Sequence, residues 1–463
     1  MSSPPEAPAP ASTPPAPPAP TRGEWAFLAV GLAVGVALRV GLAGAVELAE
    51  DEAYYWEWSR RLAWGYLDHP PGIAYLVRAG TALLGDTERG VRLGAALVSV
   101  LGLVPLWVHA RDRALFLALG LTTPLLALGG LLATPDAPLL LGWSVGLGAA
   151  LSGRWGLAGL GAGLAILSKH TGFLLLPLLF AGAGRSLRPA DALRAVAVAA
   201  AVAAPNLWWN LDNGLASYRF QWAHVREGGS GLAVLAAQLL LAGPLLFPVL
   251  LGAAAAGLRR PGPERLLAVA GLVPLALGVL AGGEANWAAP AYPALLLLAA
   301  RGPAGRRAWT ALGPNAVLVG LVMVHLVHPL VNLPWDPRDR LAGGRTLGEA
   351  VRAWGAPAVW TARYQDASLI AFYGGVEACP LRGHARPDQH DRWPCPEADT
   401  AVFVRPWRAN PETAAADAGW TVGTPGVVTA YVSTPDPTIP RPIARWQVFP
   451  LRRGAAPFPE GSE

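Results

Sequence analysis

Apolar segments of about the ~20 residues needed to cross a bilayer recur along most of the chain, from residue 25 to residue 330. Short polar connections with Gly, Pro or Arg separate them. This pattern predicts an all-α polytopic membrane region of about eleven transmembrane helices. The predicted spans lie near 25–46, 91–110, 114–133, 137–152, 155–168, 172–184, 193–209, 231–256, 266–283, 287–301 and 308–330.

Both ends of the chain differ from this region. Residues 1–22 are mostly Pro, Ala, Ser and Thr, which predicts a disordered cytoplasmic tail before a transmembrane domain at 23–330 whose first outer loop is 47–90. Residues 331–463 contain the strand-like pieces APAVWTA, TAVFVRPW and VVTAYVST. They predict a small extracytoplasmic α/β domain.

The two cysteines of the chain, Cys379 and Cys395, both lie in this C-terminal region. In an oxidising compartment a disulfide between them would stabilise the fold by ~3 kcal/mol in the chain-entropy estimate. Two free thiols are the alternative, and the sequence leaves that choice open.

Composition supports a membrane protein, with 53% hydrophobic and 14% charged residues. The net charge of +5 comes almost wholly from arginine, and Lys169 is the only lysine. No basic cluster has the size that nucleic-acid binding needs. The positive-inside rule predicts that the N-terminus lies on the cytoplasmic side of a bacterial inner membrane and the C-terminal domain on the outer side. The arginines that set this orientation are Arg111, Arg113, Arg154, Arg185, Arg188, Arg259, Arg260, Arg301, Arg306 and Arg307.

The first outer loop contains the densest polar stretch, DEAYYWEWSRRLAWGYLDHPPG at 51–72. An interfacial amphipathic helix would account for its aromatic residues and arginines. It does not account for the adjacent carboxylates Asp51 and Glu52, or for Asp68 and His69. These groups gain nothing from anionic lipid.

Other predicted outer connections also place ionisable or amide side chains at membrane depth. Such residues are costly there and usually face a cavity and a function, so we predict one outward-facing polar cavity. These side chains are Asp136, Lys169, His170, Asn206, Asn210, His224, Arg226, Glu284 and Asn286.

Carboxylates grouped with cationic side chains suit the handling of a phosphate. Lys169 and Arg226 can bind its oxygens, and Asp51 can act as general base on an incoming hydroxyl. Asp68, His69 and His224 form a mixed set without tight spacing, so a divalent metal ion stays open.

Simpler interpretations exist for several of these residues. Lys169 could be a snorkelling interface residue, and Asp136 could cap the following helix. His224 could be an ordinary interfacial histidine, and Glu284 could be a cap beside the aromatic anchor Trp287.

Several blocks resemble a known family. DEAYYW, GYLDHPPG, TPDAP, GLAILSKHTG, NGLASYRFQWAHVREG and EANWAAPAY are similar to blocks of the GT-C glycosyltransferases of family 39. That family includes bacterial relatives of the protein O-mannosyltransferases and the aminoarabinose transferases of lipid A. The resemblance covers residues 24–300, and it implies a GT-C fold and transfer of a sugar from a polyprenyl-phosphate carrier.

The resemblance also implies residue roles. Asp51 takes the position of the catalytic carboxylate, with Glu52 beside it, and Asp136 that of a second acid. Asp68 and His69 resemble an acidic-basic-Pro element in which the acid binds metal and a lysine binds the lipid phosphate. In this sequence histidine, His69, replaces that lysine.

The residues and the resemblance together predict one site. Its residues are Asp51, Glu52 and Asp136 for catalysis; Lys169, Arg226 and His69 for the donor phosphate; Asp68 and His224 for a metal ion; and Tyr54, Tyr55, His170, Asn210, Glu284 and Asn286 for the substrate cavity.

The function predicted from the sequence is an inverting glycosyltransferase. It would move a sugar from a polyprenyl-phosphate donor to a lipid, glycan or protein on the extracytoplasmic face. A lipid-linked-sugar flippase or transporter is the alternative, and inverted repeats would favour it. The sequence leaves open the donor sugar, the acceptor, metal dependence and the oligomeric state.

Overall fold

The computed structural model describes residues 17–381, 386–407, 420–436 and 438–453, and the predicted tail lies outside them as far as residue 16. The first helix begins at a capping box in which Thr21 and Glu24 each accept a hydrogen bond from the other's backbone N–H. The helices are α1 (Arg22–Ala43), α2 (Glu50–Arg60), α3 (Gly72–Leu84), α4 (Glu88–Leu101), α5 (Val104–Trp107), α6 (Arg113–Thr122), α7 (Pro124–Gly129), α8 (Asp136–Leu151), α9 (Trp155–Ile166), α10 (Leu175–Ala183), α11 (Pro189–Asp212), α12 (Ala216–Glu227), α13 (Gly231–Leu241), α14 (Leu246–Leu258), α15 (Pro263–Ala281), α16 (Tyr292–Arg301), α17 (Gly305–Val327), α18 (Gly344–Trp354) and α19 (Tyr364–Leu369).

Short helical turns complete the helical part. The 3₁₀ turns are His170–Leu174, Gly184–Ser186, Ala285–Ala291, Pro337–Arg340 and Gln389–Arg392, and Ile370–Gly374 is a π turn. Each predicted span coincides with a helix or with consecutive helices. Within the described residues, five helices are long and apolar enough to cross a membrane, or six if one bent pair is a single span, so the predicted count of about eleven is not confirmed. The five are Arg22–Ala43, Glu88–Trp107, Pro189–Asp212, Pro263–Ala281 and Gly305–Val327.

The predicted span at 231–256 consists of two helices with a sharp bend between them rather than one straight helix. α13 and α14 meet at 106°. Gly243 has φ +99° at the break, and a Cβ there would lie 1.8 Å from Asn315 Oδ1. The following residue, Pro244, has no backbone N–H to continue the helix. Asn315 Nδ2 donates to the Ala242 carbonyl at 2.7 Å, which compensates for a backbone bond that the bend interrupts.

The C-terminal region folds around a six-stranded sheet, which confirms the predicted strands. Strand order is β2-β1-β3-β6-β4, and β5 also pairs with β6. β1 is parallel to β2 and β3, whereas the pairs made by β6 are antiparallel. Cys379 and Cys395 are joined by a disulfide, with Cα atoms 5.9 Å apart. The strands are β1 (Val359–Thr361), β2 (Ala378–Pro380), β3 (Thr400–Pro406), β4 (Trp420–Val422), β5 (Gly426–Val432) and β6 (Arg441–Arg453).

A buried ion pair between Glu52 and Arg92 joins α2 to α4. Both side chains are 1% exposed, and Arg92 donates to the two Glu52 oxygens at 2.8 and 2.6 Å. Arg92 also donates to the carbonyl of Ala43, the last residue of α1, at 2.6 Å and to that of Glu47 at 2.7 Å. Glu52 Oε1 accepts from the N–H of Ala133 at 2.8 Å. The pair therefore ties three helices to the chain just before α8.

We expect Arg92→Met to destabilise the protein strongly, because removing one partner leaves an uncompensated buried charge at a cost of about 3–5 kcal/mol. The matched control is Arg60→Met, which removes an exposed pair with Asp86, worth ~0–1 kcal/mol. The measurement is the thermal midpoint of detergent-purified protein by size-exclusion chromatography. Equal midpoints for the two variants would contradict this role.

Candidate active site

A cavity of about 710 Å³ brings together residues from the first loop, four membrane-region segments and the C-terminal region. Many predicted site residues line it. They are Asp51, Tyr54, Tyr55, Asp68, His69, Asp136, Lys169, His170, His224, Glu284 and Asn286.

Asp51 lies in the first turn of α2 and its side chain is open to the cavity. The surrounding protein buries the carboxyl group enough to raise the pKa of Asp51 above its ordinary value. The Tyr364 hydroxyl donates to Asp51 Oδ1 at 3.2 Å and opposes this rise. Asp51 is thus an accessible carboxylate with increased basicity, as a general base requires.

Lys169 is held by a carboxylate rather than extended into an interface. Its Nζ lies 2.8 Å from Asp136 Oδ1, and the Lys169 side chain is 12% exposed. Asn286 Nδ2 donates to the other Asp136 oxygen at 2.7 Å. These contacts argue against the snorkelling interpretation of Lys169. Asp136 is the first residue of α8, but its side chain binds the Lys169 ammonium and the Asn286 amide instead of capping the helix.

Asp68 is a buried carboxylate with a full set of partners. Arg386 donates to its Oδ1 at 2.7 Å, and the Tyr54 hydroxyl donates to its Oδ2 at 2.8 Å. Gln221 Nε2 donates to its backbone carbonyl at 2.6 Å. Burial raises the pKa of Asp68 to about 6, although Arg386 and Tyr54 favour the charged form.

His69 lines the cavity but does not supply a positive charge. Burial lowers the pKa of His69 well below its usual range, and the nearby Lys169 lowers it further. The neutral imidazole can exchange hydrogen bonds with a phosphate, and its buried Nδ1 has no hydrogen-bond partner within the described part of the chain. We therefore revise the predicted role of His69 from a cationic to a neutral phosphate contact.

The candidate metal ligands do not fit a divalent ion. Both Asp68 oxygens are engaged by Arg386 and Tyr54, and His224 Nδ1 lies 3.2 Å from Glu227. Over the described ranges, no three His, Cys, Asp or Glu side chains form a group that could hold a metal ion.

Three predicted site residues do not line the cavity. Glu52 is committed to Arg92, so we assign it a structural role rather than a catalytic one. Arg226 is exposed near the end of α12, next to the cavity residue Val225, and its phosphate role stays a prediction. Asn210 is fully buried in α11 and its Nδ2 donates to the Asn206 carbonyl at 3.1 Å.

Tyr364 and Arg386 are cavity residues that the sequence did not predict. They lie in the C-terminal region, and Arg386 is 318 residues from its partner Asp68. Neither belongs to a motif or to a periodic pattern, so no local signal could have identified them.

Comparison with known proteins supports the resemblance to GT-C glycosyltransferases that the sequence suggested. A family model described as dolichyl-phosphate-mannose-protein mannosyltransferase matches residues 68–209. The lipid A galacturonosyltransferase RgtD of Rhizobium johnstonii is 34% identical over 287 residues, which cover 55% of this chain. The match spans 60% of that relative's length.

The fold is similar to that of ArnT from Cupriavidus metallidurans. Its crystal structures in the apo state and bound to undecaprenyl phosphate match with TM-scores of 0.66 and 0.64 at 17% identity. Each match covers 92% of this chain and 98% of ArnT. At this identity the likeness shows the fold alone. Together with the sequence matches, it confirms the predicted resemblance to GT-C glycosyltransferases of the protein O-mannosyltransferase and ArnT type.

We expect Tyr364→Phe to move the acidic limb of the pH–rate profile to higher pH. The lost hydrogen bond stabilises ionised Asp51, so its removal raises the pKa of Asp51 further, and a general base acts only when ionised. The measurement is kcat/KM of wild type and Tyr364→Phe between about pH 4 and pH 8. This range begins near the ordinary pKa of an aspartate and extends past neutrality. An acidic limb that stays at the same pH or moves to lower pH would show that Tyr364 does not stabilise the ionised base.

Proposed function

We propose that the protein is an inverting glycosyltransferase that takes its sugar from a polyprenyl-phosphate carrier. The observation that carries this proposal is one cavity lined by both a basic carboxylate, Asp51, and a fixed cation, Lys169. The carboxylate can accept the proton of an acceptor hydroxyl, and the cation can stabilise the negative charge of a departing phosphate.

The proposed reaction is a single displacement at the anomeric carbon. An acceptor hydroxyl oxygen attacks that carbon while the bond to the carrier phosphate oxygen breaks, and both electrons of this bond leave with the phosphate. Asp51 accepts the hydroxyl proton. Attack opposite to the leaving group inverts the configuration.

Stabilisation of the phosphate is the larger contribution, because the leaving phosphate needs no proton while the negative charge on it increases. Lys169 supplies a positive charge that Asp136 and Asn286 hold in place. A preorganised cation does not have to move at the moment of reaction. Neutral His69 adds hydrogen bonding.

The known proteins suggest the substrate class. ArnT has been crystallised with undecaprenyl phosphate, and RgtD is named a lipid A galacturonosyltransferase. By analogy, we propose an undecaprenyl-type carrier of a hexose, uronic acid or pentose, and a lipid, glycan or protein acceptor. The reaction would take place on the extracytoplasmic face of a bacterial inner membrane.

We expect Asp51→Asn to lower kcat by about 10²–10⁴-fold, the usual contribution of a general base. The matched control is Asp86→Asn, since Asp86 is an exposed carboxylate paired with Arg60 away from the cavity. The measurement is release of sugar from a radiolabelled polyprenyl-phosphate donor by purified protein. Near-normal turnover by Asp51→Asn would remove Asp51 as the base.

We expect Lys169→Ala to raise the KM for the carrier and to lower kcat, because the cation contacts the phosphate before and during its departure. Lys169→Arg keeps the charge and tests whether its geometry matters. The measurement is the dependence of rate on donor concentration. Unchanged KM and kcat for Lys169→Ala would exclude the phosphate role.

A further inference from the structure

A segment of the C-terminal region completes the active-site cavity. We define the clasp as residues 386–395, whose last residue is bonded to Cys379 of strand β2. We propose that the disulfide-anchored clasp is a positioning element for catalysis, which places Arg386 so that Tyr364 and Asp68 hold their orientation around Asp51. This inference rests on the proposed function.

A buried charge cluster attaches the clasp to α2. His390 Nε2 lies 3.0 Å from Glu57 and its Nδ1 lies 2.8 Å from Asp388, with each of the three side chains at most 5% exposed. Burial alone would lower the pKa of His390, but Glu57 and Asp388 raise it to about 9. The imidazolium therefore stays charged at neutral pH. Ser368 also donates to Glu57, which brings α19 into the cluster.

Backbone hydrogen bonds fix the clasp against the first loop. The N–H of Gln389 donates to the Tyr54 hydroxyl at 2.6 Å, and the N–H of Leu67 donates to Gln389 Oε1 at 2.8 Å. The His390 and Tyr54 rings stack with centroids 5.5 Å apart. Since Tyr54 also donates to Asp68, these contacts connect the clasp directly to the cavity wall.

Arg386 extends from the clasp into the cavity. Its guanidinium lies 2.7 Å from Asp68 Oδ1 and 3.4 Å from the Tyr364 hydroxyl, which in turn donates to Asp51. The guanidinium carbon lies 4.8 Å from the centre of the Phe220 ring and 5.4 Å from that of Tyr364. Arg386 thus acts on Asp51 without touching it, through the Tyr364 hydroxyl and through its positive charge, which lowers the pKa of Asp51.

The disulfide is the covalent part of this attachment. Cys379 belongs to β2, the strand at one end of the sheet order, and it is 3% exposed. Cys395 is partly exposed, so a reductant can reach the bond. Without the bridge, only non-covalent contacts would hold the clasp against the rest of the fold. The flexible loop that contains the clasp would also be longer, so ordering it would cost more entropy.

The test is a double cycle of Arg386→Met and reduction of the disulfide by dithiothreitol, with thiol titration to confirm reduction. Each change alone should lower kcat by roughly tenfold to a hundredfold, as expected for a misplaced catalytic group, and leave the KM for the carrier unchanged. Reduction of Arg386→Met should add less than about a twofold loss, because both changes act through one contact. Arg386→Lys should recover part of the rate.

Controls separate positioning from general damage. Arg60→Met removes an arginine–aspartate pair of similar exposure, 47% against 44% for the arginine side chains, and should keep full activity. The Cys379→Ser/Cys395→Ser protein should match the reduced wild type. Two independent losses that multiply would overturn the proposal. A raised KM with unchanged kcat would also overturn it, since Arg386 would then be a binding residue.

Hydrogen exchange measured by mass spectrometry tests the clasp without turnover. Reduction should speed exchange in peptides covering α2 and α19 and leave α1 unchanged. If oxidised wild type transfers no sugar, the proposed function fails, and this exchange pattern still decides whether the clasp orders the cavity. Unchanged exchange in α2 and α19 after confirmed reduction would overturn the proposal.

Discussion

The buried pair between Glu52 and Arg92 is the contact on which the active site depends. One guanidinium bonds the end of α1 and the first turn of α2, and the paired carboxylate bonds Ala133, three residues before Asp136. Asp51 precedes Glu52 in the chain. The same interaction therefore fixes both the proposed base and the carboxylate that holds Lys169. A buried pair is costly to desolvate, but removing only one partner is costlier still, because the other charge then stays buried and unpaired.

The cavity is an interface between two regions rather than a feature of the membrane helices alone. Helix α2 supplies Asp51 and Tyr54, whereas Tyr364 and Arg386 come from the C-terminal region. The low exposure of Asp68 and the enclosure of Asp51 raise both pKa values, and the surrounding donors limit the rise. Burial and hydrogen bonding together thus keep the carboxylates basic and still ionisable.

Local patterns predicted much of this structure, and their limits have physical causes. Apolar runs located the helices and strand-like pieces located β1, β3 and β5, because both signals depend on near neighbours. Asp136, Lys169 and Asn286 were predicted because ionisable and amide side chains are costly at membrane depth. Asp51 and Glu52 were both predicted to be catalytic, but one step along a helix turns a side chain by about 100°, so Asp51 faces the cavity while Glu52 pairs with Arg92. Arg386 was missed because its partner is far away in sequence.

The most direct measurement is a cryo-electron microscopy structure of the protein with a polyprenyl phosphate bound. The account predicts phosphate density in the cavity, within hydrogen-bonding distance of Lys169 Nζ, with Asp51 left free to meet an acceptor hydroxyl. Density beside exposed Arg226, with no phosphate at Lys169, would contradict it. That result would move the donor site out of the cavity and remove the basis for Asp51 as the catalytic base.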